Sequence, residues 1–195
     1  GLSFVNPDLV SSLEFSSGGW QPHYGDGLAS SMNVSYKKPT EFGGSLSIGL
    51  LGGSAHIEGA LADGKVDYLV GARHKRAEYL LNTLETEGEY KPSFTDLQGY
   101  FNFDLSEKTK KKTDLGVMLA YARNRYRVDP QSRQTTFGTF NEQLRLYVAF
   151  VGSDQLQYDT YQGAVKLSHW HNDRFRSDLI VSTLLTRERE LFDVE

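Results

Sequence analysis

Apolar residues recur at every second position over most of this chain, and this alternation limits its fold more than any other feature. The pattern is clearest at Leu46 to Leu50, at Val66 to Ala72 and at Leu115 to Tyr121. Successive side chains of a β-strand point to opposite faces of a sheet, so this period indicates strands that each have one apolar side. We therefore predict an all-β protein, built as an antiparallel up-and-down meander.

The alternation predicts seven strands after Pro39, separated by turn signals. Asp63-Gly64 is a strong two-residue hairpin signal, and Glu107–Thr113 is a polar turn rich in lysine. The predicted strands are Phe42–Leu51, Ser54–Ala62, Lys65–Arg73, Thr95–Ser106, Asp114–Val128, Thr160–His171 and Arg174–Arg187.

Two long connections interrupt the strands. Ala77–Phe94 is expected to be a loop, although its first half is compatible with a short helix. Asp129–Asp159 is expected to be a second loop, with a β-like run at Gln143–Val151. Both lie at one end of the predicted sheet, whereas the turns at Asp63, at the lysine run and at Asn172 lie at the other, which is the pattern of transmembrane barrels. Candidate ligand-binding residues in the loops are the aromatics Tyr90, Phe94, Phe137 and Phe140, although such residues also pack long loops on themselves.

A glycine-rich segment precedes these strands. Leu9, Ser11, Leu13 and Phe15 alternate with polar residues and predict a half-buried strand, and a second strand is expected from Leu28 to Tyr36. Between the two strands lie Ser17-Gly18-Gly19-Trp20 and the corner Tyr24-Gly25, and Lys37 follows the second strand.

This segment resembles the end of the plug domain of TonB-dependent outer-membrane receptors. In that family a Gly-Gly turn, a Tyr-Gly corner and a short polar strand ending near a lysine lead directly into the barrel. The matching residues are Gly18, Gly19, Tyr24 and Gly25, and Asn6-Pro7 fits the family upstream. The resemblance implies that residues 1–39 end a plug domain and that residues 40–195 form about the first seven strands of a transmembrane β-barrel.

The resemblance also implies a function, which is energy-coupled uptake of a large nutrient across the outer membrane of a Gram-negative bacterium. The nutrient would be an iron chelate, a cobalamin or an oligosaccharide. The implied partners are this ligand, outer-membrane lipid, and the TonB energy-coupling complex through parts of the protein not in this chain. Receptors of this family have a barrel of about 22 strands, so we expect the chain to be a fragment. Its open edges would close by curling into a partial barrel or sandwich, or by self-association.

The composition excludes several other classes. The net charge of −4 argues against a nucleic-acid partner, and the absence of cysteine excludes a disulfide or a thiolate metal site. No run of 18 apolar residues occurs in this sequence, and its first residues, Gly1-Leu2-Ser3-Phe4, are not expected to be a signal peptide. No catalytic or nucleotide-binding motif occurs, so we expect neither an enzyme nor a cofactor.

The alternative is a stand-alone small β-barrel that binds a lipid or another hydrophobic ligand, which would need an apolar interior. The side opposite the apolar stripe instead carries polar residues, which suit a wet lumen. These are His56, Glu58, Lys65, Asp67 and Arg73, of which Asp67 and Arg73 are candidates for pairing with the plug. His169 and His171 share one side of a strand, where two readings stay open: a shared metal, or an aromatic cluster at a membrane boundary.

Overall fold

The computed structural model describes residues 5–18, 30–76, 88–106, 112–130, 133–138, 143–148 and 152–193. Within these ranges the chain is all-β and its strand pairs are antiparallel, which confirms the predicted fold class. A 3-10 turn, Pro7–Leu9, precedes the first strand. The described ranges hold no helix that is long and apolar enough to cross a membrane.

The strands are numbered in chain order. They are β1 Val10–Ser16, β2 Ser31–Tyr36, β3 Gly43–Gly49, β4 Gly52–Leu61, β5 Val66–Arg76, β6 Gly88–Tyr90, β7 Ser93–Asp104, β8 Thr113–Pro130, β9 Arg133–Gly138, β10 Gln143–Val148, β11 Ser153–Asn172 and β12 Phe175–Asp193.

The seven predicted strands are β3, β4, β5, β7, β8, β11 and β12, and they form one sheet in this order. Each strand pairs with the next one along the meander, so the predicted topology is confirmed. Within the described ranges the sheet does not close into a barrel, and β3 and β12 are its edges. Strand β6 pairs with the end of β8, while β1–β2 and β9–β10 form two separate two-stranded ladders.

Several predicted boundaries are wrong, because the ladders continue past the last apolar residue. Strand β8 runs to Pro130, β11 begins at Ser153 and β12 runs to Asp193. The added residues pair with one another, as Gln157 does with Arg125 on one side and Arg189 on the other. The second long connection is therefore shorter than predicted, and it contains the β9–β10 hairpin.

The first long connection and the first strand also differ from the prediction. Strand β6 and the start of β7 fall inside the expected loop, because both pair with β8. Residues 77–87, whose sequence is compatible with a short helix, lie outside the described residues. Leu9 belongs to the 3-10 turn and not to β1, and Leu13 and Phe15 of β1 are exposed.

The turn between β4 and β5 and the turn between β11 and β12 lie at one end of the sheet, as predicted, and the long connections lie at the other. The short turn between β3 and β4 lies with the long connections, because Gly52 pairs with Lys75. Between β4 and β5 the backbone turns through Ala62, Asp63 and Gly64, with φ of 53°, 56° and 83°. The Asp104 amide donates to the Lys65 carbonyl at 2.7 Å, which joins this turn to the end of β7. We call this end of the sheet the short-turn end and the other the long-loop end.

The register aligns side chains into rows across the sheet, so its two faces can be compared directly. One face, the apolar face, has a row formed by Leu185, Tyr161, Tyr121, Leu97 and Ala72. The next rows toward the short-turn end contain Leu119 and then Val165, and both side chains are exposed. The other face, the polar face, has a row formed by Thr186, Thr160, Ala122, Asp96 and Arg73.

Candidate functional site

The N-terminal segment, defined as Val5–Ser16 and Ser31–Lys37, packs on the polar face. Asn6 and Leu9 have no exposed surface, and the backbone amide of Asn6 donates to Gln98 Oε1 of β7 at 3.1 Å. A Cβ atom added at Gly71 of β5 would lie 2.5 Å from Asn6 Nδ2 and 3.2 Å from Leu9 Cδ2. The 3-10 turn therefore approaches the β5 backbone so closely that only glycine fits there.

A second group of contacts joins β2 to the polar face. The ring of Tyr36 stacks on Tyr100 of β7, with 5.0 Å between centroids and 11° between planes. The Tyr36 hydroxyl donates to the sulfur of Met118 on β8 at 3.4 Å. Lys37 Nζ lies 3.5 Å from Glu58 Oε2, which itself lies 3.5 Å from His56 Nε2. The segment thus contacts β4, β5, β7 and β8 through hydrogen bonds, stacking and charge.

Four of the polar residues predicted to face the lumen lie on the polar face of β4 and β5: His56, Glu58, Asp67 and Arg73. Glu58 does pair with the N-terminal segment, through Lys37. Asp67 accepts a hydrogen bond from Asn102 at 3.0 Å, and Arg73 donates from Nε to Asp96 at 2.8 Å. These partners of Asp67 and Arg73 are on β7, because neighbouring strands bring the side chains of one row within reach.

Arg73 and Asp96 form an ion pair beneath the N-terminal segment. Their side chains are 6% and 0% exposed, and the Arg73 guanidinium carbon lies 5.5 Å from the centroid of the Phe94 ring. Both charges of a buried ion pair have lost their hydration, so removing one partner leaves the other as a buried charge at a large cost in stability.

The predicted ligand-binding aromatics have separate positions. Phe94 is buried in β7 against Arg73, so in this arrangement it does not face solvent. Phe137 is exposed on β9, opposite Leu144 of β10. The backbone of Tyr90 is part of β6, opposite Val128. Phe140 lies outside the described residues, as do Gly19, Tyr24 and Gly25 of the plug-like motif. Gly18 follows β1 with a φ of 150°.

At the long-loop end of the apolar face, polar groups follow a pair of tyrosines. The rings of Tyr121 and Tyr161 lie 5.1 Å apart. Asp159 accepts hydrogen bonds from Arg123 Nε at 2.6 Å, from Gln157 Nε2 at 2.6 Å and from the Tyr121 hydroxyl at 2.9 Å. Burial opposes ionisation of Asp159, but the three donors outweigh it and lower its pKa to about 2.

Sequence reasoning missed this network, because it assigned Asp159 to a loop. The sequence does contain a signal for this network: Arg123, Arg125 and Arg127 occur at every second position and continue the alternation of the apolar residues before them.

At the short-turn end, His169, His171 and Phe175 lie together. The two histidine rings meet edge to face at 4.6 Å, and His171 lies 5.0 Å from Phe175. His169 Nδ1 lies 2.8 Å from the Thr113 hydroxyl, and His171 Nε2 lies 2.9 Å from the Ser177 hydroxyl. The described part of the chain holds no cluster of three or more His, Asp or Glu side chains suited to a metal. The geometry is that of an aromatic cluster.

Fold and contacts together define an antiparallel meander whose apolar face is exposed and whose polar face holds the N-terminal segment. Comparison of the chain with protein families, with curated proteins and with solved structures gave no match.

Proposed function

We propose that this chain is part of the wall and plug of an outer-membrane receptor for TonB-dependent uptake of a large nutrient. The observation that carries the proposal is the distribution of polarity between the two faces of the sheet. Large apolar side chains are exposed in rows, whereas Asn6, Arg73, Asp96 and Gln98 are buried. A soluble protein buries apolar side chains, and each one left in water forfeits about 1.5–3 kcal/mol. In a membrane, the lipid chains of the bilayer would cover the exposed apolar face of this sheet.

The height of the apolar face suits a membrane. In β11 the residues of this face run from Tyr161 to His169, which is about 26 Å along a strand at roughly 3.3 Å per residue. Tilted by about 40°, that length spans about 20 Å, close to the apolar band of roughly 25 Å on transmembrane barrels. The tyrosine pair and the histidine–phenylalanine cluster lie at its two ends, where amphipathic rings favour the interface.

The contacts of the N-terminal segment support the assignment of residues 1–39 to the end of a plug. A plug fills the polar interior of a barrel, and here the segment is held on the polar face by Leu9, Tyr36 and Lys37. A stand-alone barrel holding a hydrophobic ligand would need the opposite arrangement, with the apolar face inside. Energy coupling, the nutrient and the outer-membrane location remain what the resemblance implies.

The size and location of the native protein test this proposal. An antibody raised against the chain is used on fractionated source cells. A band several times larger than 21.9 kDa in the outer-membrane fraction is the expected result. A band near 22 kDa in the soluble fraction would contradict the proposal and favour a small ligand-binding β-protein.

A further inference from the structure

Arginine residues form two rows on the apolar face, directly beyond the tyrosine pair. In the first row, Asp159 of β11 lies between Arg187 of β12 and Arg123 of β8. In the second row, Gln157 lies between Arg189 and Arg125, and Arg76 of β5 lies at the far side. We call the arginines of the two rows the arginine rim: Arg76, Arg123, Arg125, Arg187 and Arg189.

The rim has a large excess of positive charge. Five arginines share the two rows with one carboxylate, that of Asp159, which gives a formal charge of 5 − 1 = +4 among these described residues. Asp159 is already hydrogen bonded to Arg123. The acidic residues Glu188 and Glu190 alternate with the arginines of β12 and therefore belong to the opposite face. The rim is thus a cationic strip at the long-loop end of the apolar face.

A shallow apolar trough lies directly beside this strip. Its volume is about 610 Å³, and its lining includes Leu119, Tyr121, Tyr161 and Gly163. A Cβ atom added at Gly163 would lie 3.6 Å from Thr183 Cγ2 and 3.9 Å from Leu119 Cδ2, which is ordinary van der Waals contact, so a side chain at this position would occupy part of the trough. The tyrosine pair forms the edge of the trough that is nearest to the arginine rim.

We propose that the arginine rim and the trough together bind a membrane lipid whose headgroup carries phosphate groups. Guanidinium groups bind phosphate oxygens bidentately, which makes arginine suited to this contact. The strands from β12 to β5 cover four interstrand spacings, or about 19 Å, wide enough for a headgroup with two phosphates. One acyl chain of the lipid occupies the trough. This inference rests on the proposed function, because it places the apolar face in a bilayer.

Charge complementarity between the rim and phosphate is the reason for choosing this occupant. A zwitterionic or uncharged headgroup would leave the +4 strip without its counter-charge. A partner protein with an acidic surface would contact the rim but would leave the apolar trough within the membrane unfilled.

The test compares lipids that differ only in phosphate. The full chain in uncharged detergent micelles is titrated with diphosphorylated lipid A, with the same lipid after removal of both phosphates, and with inorganic phosphate. The variant R125Q/R187Q/R189Q removes three rim charges and keeps Arg123, which donates to Asp159. The matched control K65Q/R174Q/R176Q removes three cations from the short-turn end. A further variant, Gly163→Leu, fills the trough and keeps every charge.

We expect saturable binding of the diphosphorylated lipid and at least tenfold weaker binding of the dephosphorylated lipid. The rim variant should bind the diphosphorylated lipid at least tenfold more weakly, and Gly163→Leu at least threefold more weakly. The control variant should stay within twofold of the wild type. If the rim variant does not fold, Gly163→Leu and the pair of lipids decide the result.

Equal affinity of wild type and rim variant, or equal affinity for the two lipids, would overturn the inference. Inorganic phosphate that competes fully at the same concentration as the lipid would also overturn it, because the site would then bind an ion only. Protease protection in vesicles is measured in parallel. A chain that inserts but does not bind the lipid refutes this inference alone, whereas a chain that does not insert refutes the proposed function as well.

Discussion

Gly71 is the position at which a single substitution tests how the N-terminal segment is held. Replacing Gly71 with valine places a Cβ atom 2.5 Å from Asn6 Nδ2 and 3.2 Å from Leu9 Cδ2. Both side chains are fully buried, so neither can relieve the overlap by moving into solvent. Overpacking of this kind costs about 1–3 kcal/mol. If the 3-10 turn were displaced completely, Leu9 would become exposed to solvent, and this would add about 2 kcal/mol to the cost.

Amide hydrogen exchange in detergent micelles measures this effect locally. The Asn6 amide donates to Gln98, and the Lys37 amide donates to the Leu9 carbonyl at 3.0 Å. A loss of about 2 kcal/mol corresponds to roughly 30-fold faster exchange at both amides. The amides of the β7–β8 ladder should exchange at the wild-type rate, because the sheet itself stays intact.

Gly163→Val is the matched control for this experiment. Gly163 is also a glycine within the sheet, but an added Cβ would have its nearest neighbour at 3.6 Å. Both variants gain the same strand preference of valine, so the difference between them reports the contact with the N-terminal segment. Unchanged exchange at Asn6 and Lys37 in Gly71→Val, or equal acceleration in both variants, would refute the packing described here.

Three further predictions concern the ion pairs and the two faces. Asp96→Ala leaves the buried Arg73 charge without its carboxylate and should lower the free energy of unfolding by about 3 kcal/mol or more, measured with urea in micelles. An unchanged urea midpoint would contradict this. Asp159 has its pKa lowered to about 2 in the folded state, so its ionisation stabilises the fold above about pH 4 and this contribution disappears as the pH falls toward 2. Asp159→Asn should therefore lower the urea midpoint at pH 5 and approach the wild type near pH 2; a constant difference would refute the assignment. Val165→Arg on the apolar face should make the free energy of insertion into vesicles less favourable by about 2–4 kcal/mol, while Ala164→Arg on the polar face should have a smaller effect. Equal effects at the two positions would contradict the assignment of faces.

The apolar alternation was sufficient to predict the sheet. It identified the seven strands of the meander, the two ends with different connections, and the face to which Glu58 and Val165 belong. These features follow from the geometry of a strand alone, since the period of two assigns each residue to one face.

The ends of the long strands were not predictable from hydrophobicity. From Arg123 onward β8 alternates arginine with other residues, and β11 opposes it with Gln155, Gln157 and Asp159. Such positions have no apolar signal, although main-chain pairing continues through them. The contacts of the N-terminal segment could not be predicted either, because the approach of Leu9 to Gly71 joins residues far apart in the sequence.

In the proposed arrangement the apolar face contacts lipid while the polar face lines an aqueous interior. The chain contains no cysteine, so single-cysteine variants from Tyr161 to His169 can each carry one nitroxide spin label in vesicles. Collision with oxygen, which concentrates in lipid, and with a water-soluble nickel complex is then measured at every position. We expect the collision rate with oxygen to be highest at Tyr161, Gly163, Val165 and Leu167, and the collision rate with the nickel complex to be highest at the positions between them. Equal access of the nickel complex to both sets, or no period of two, would contradict it.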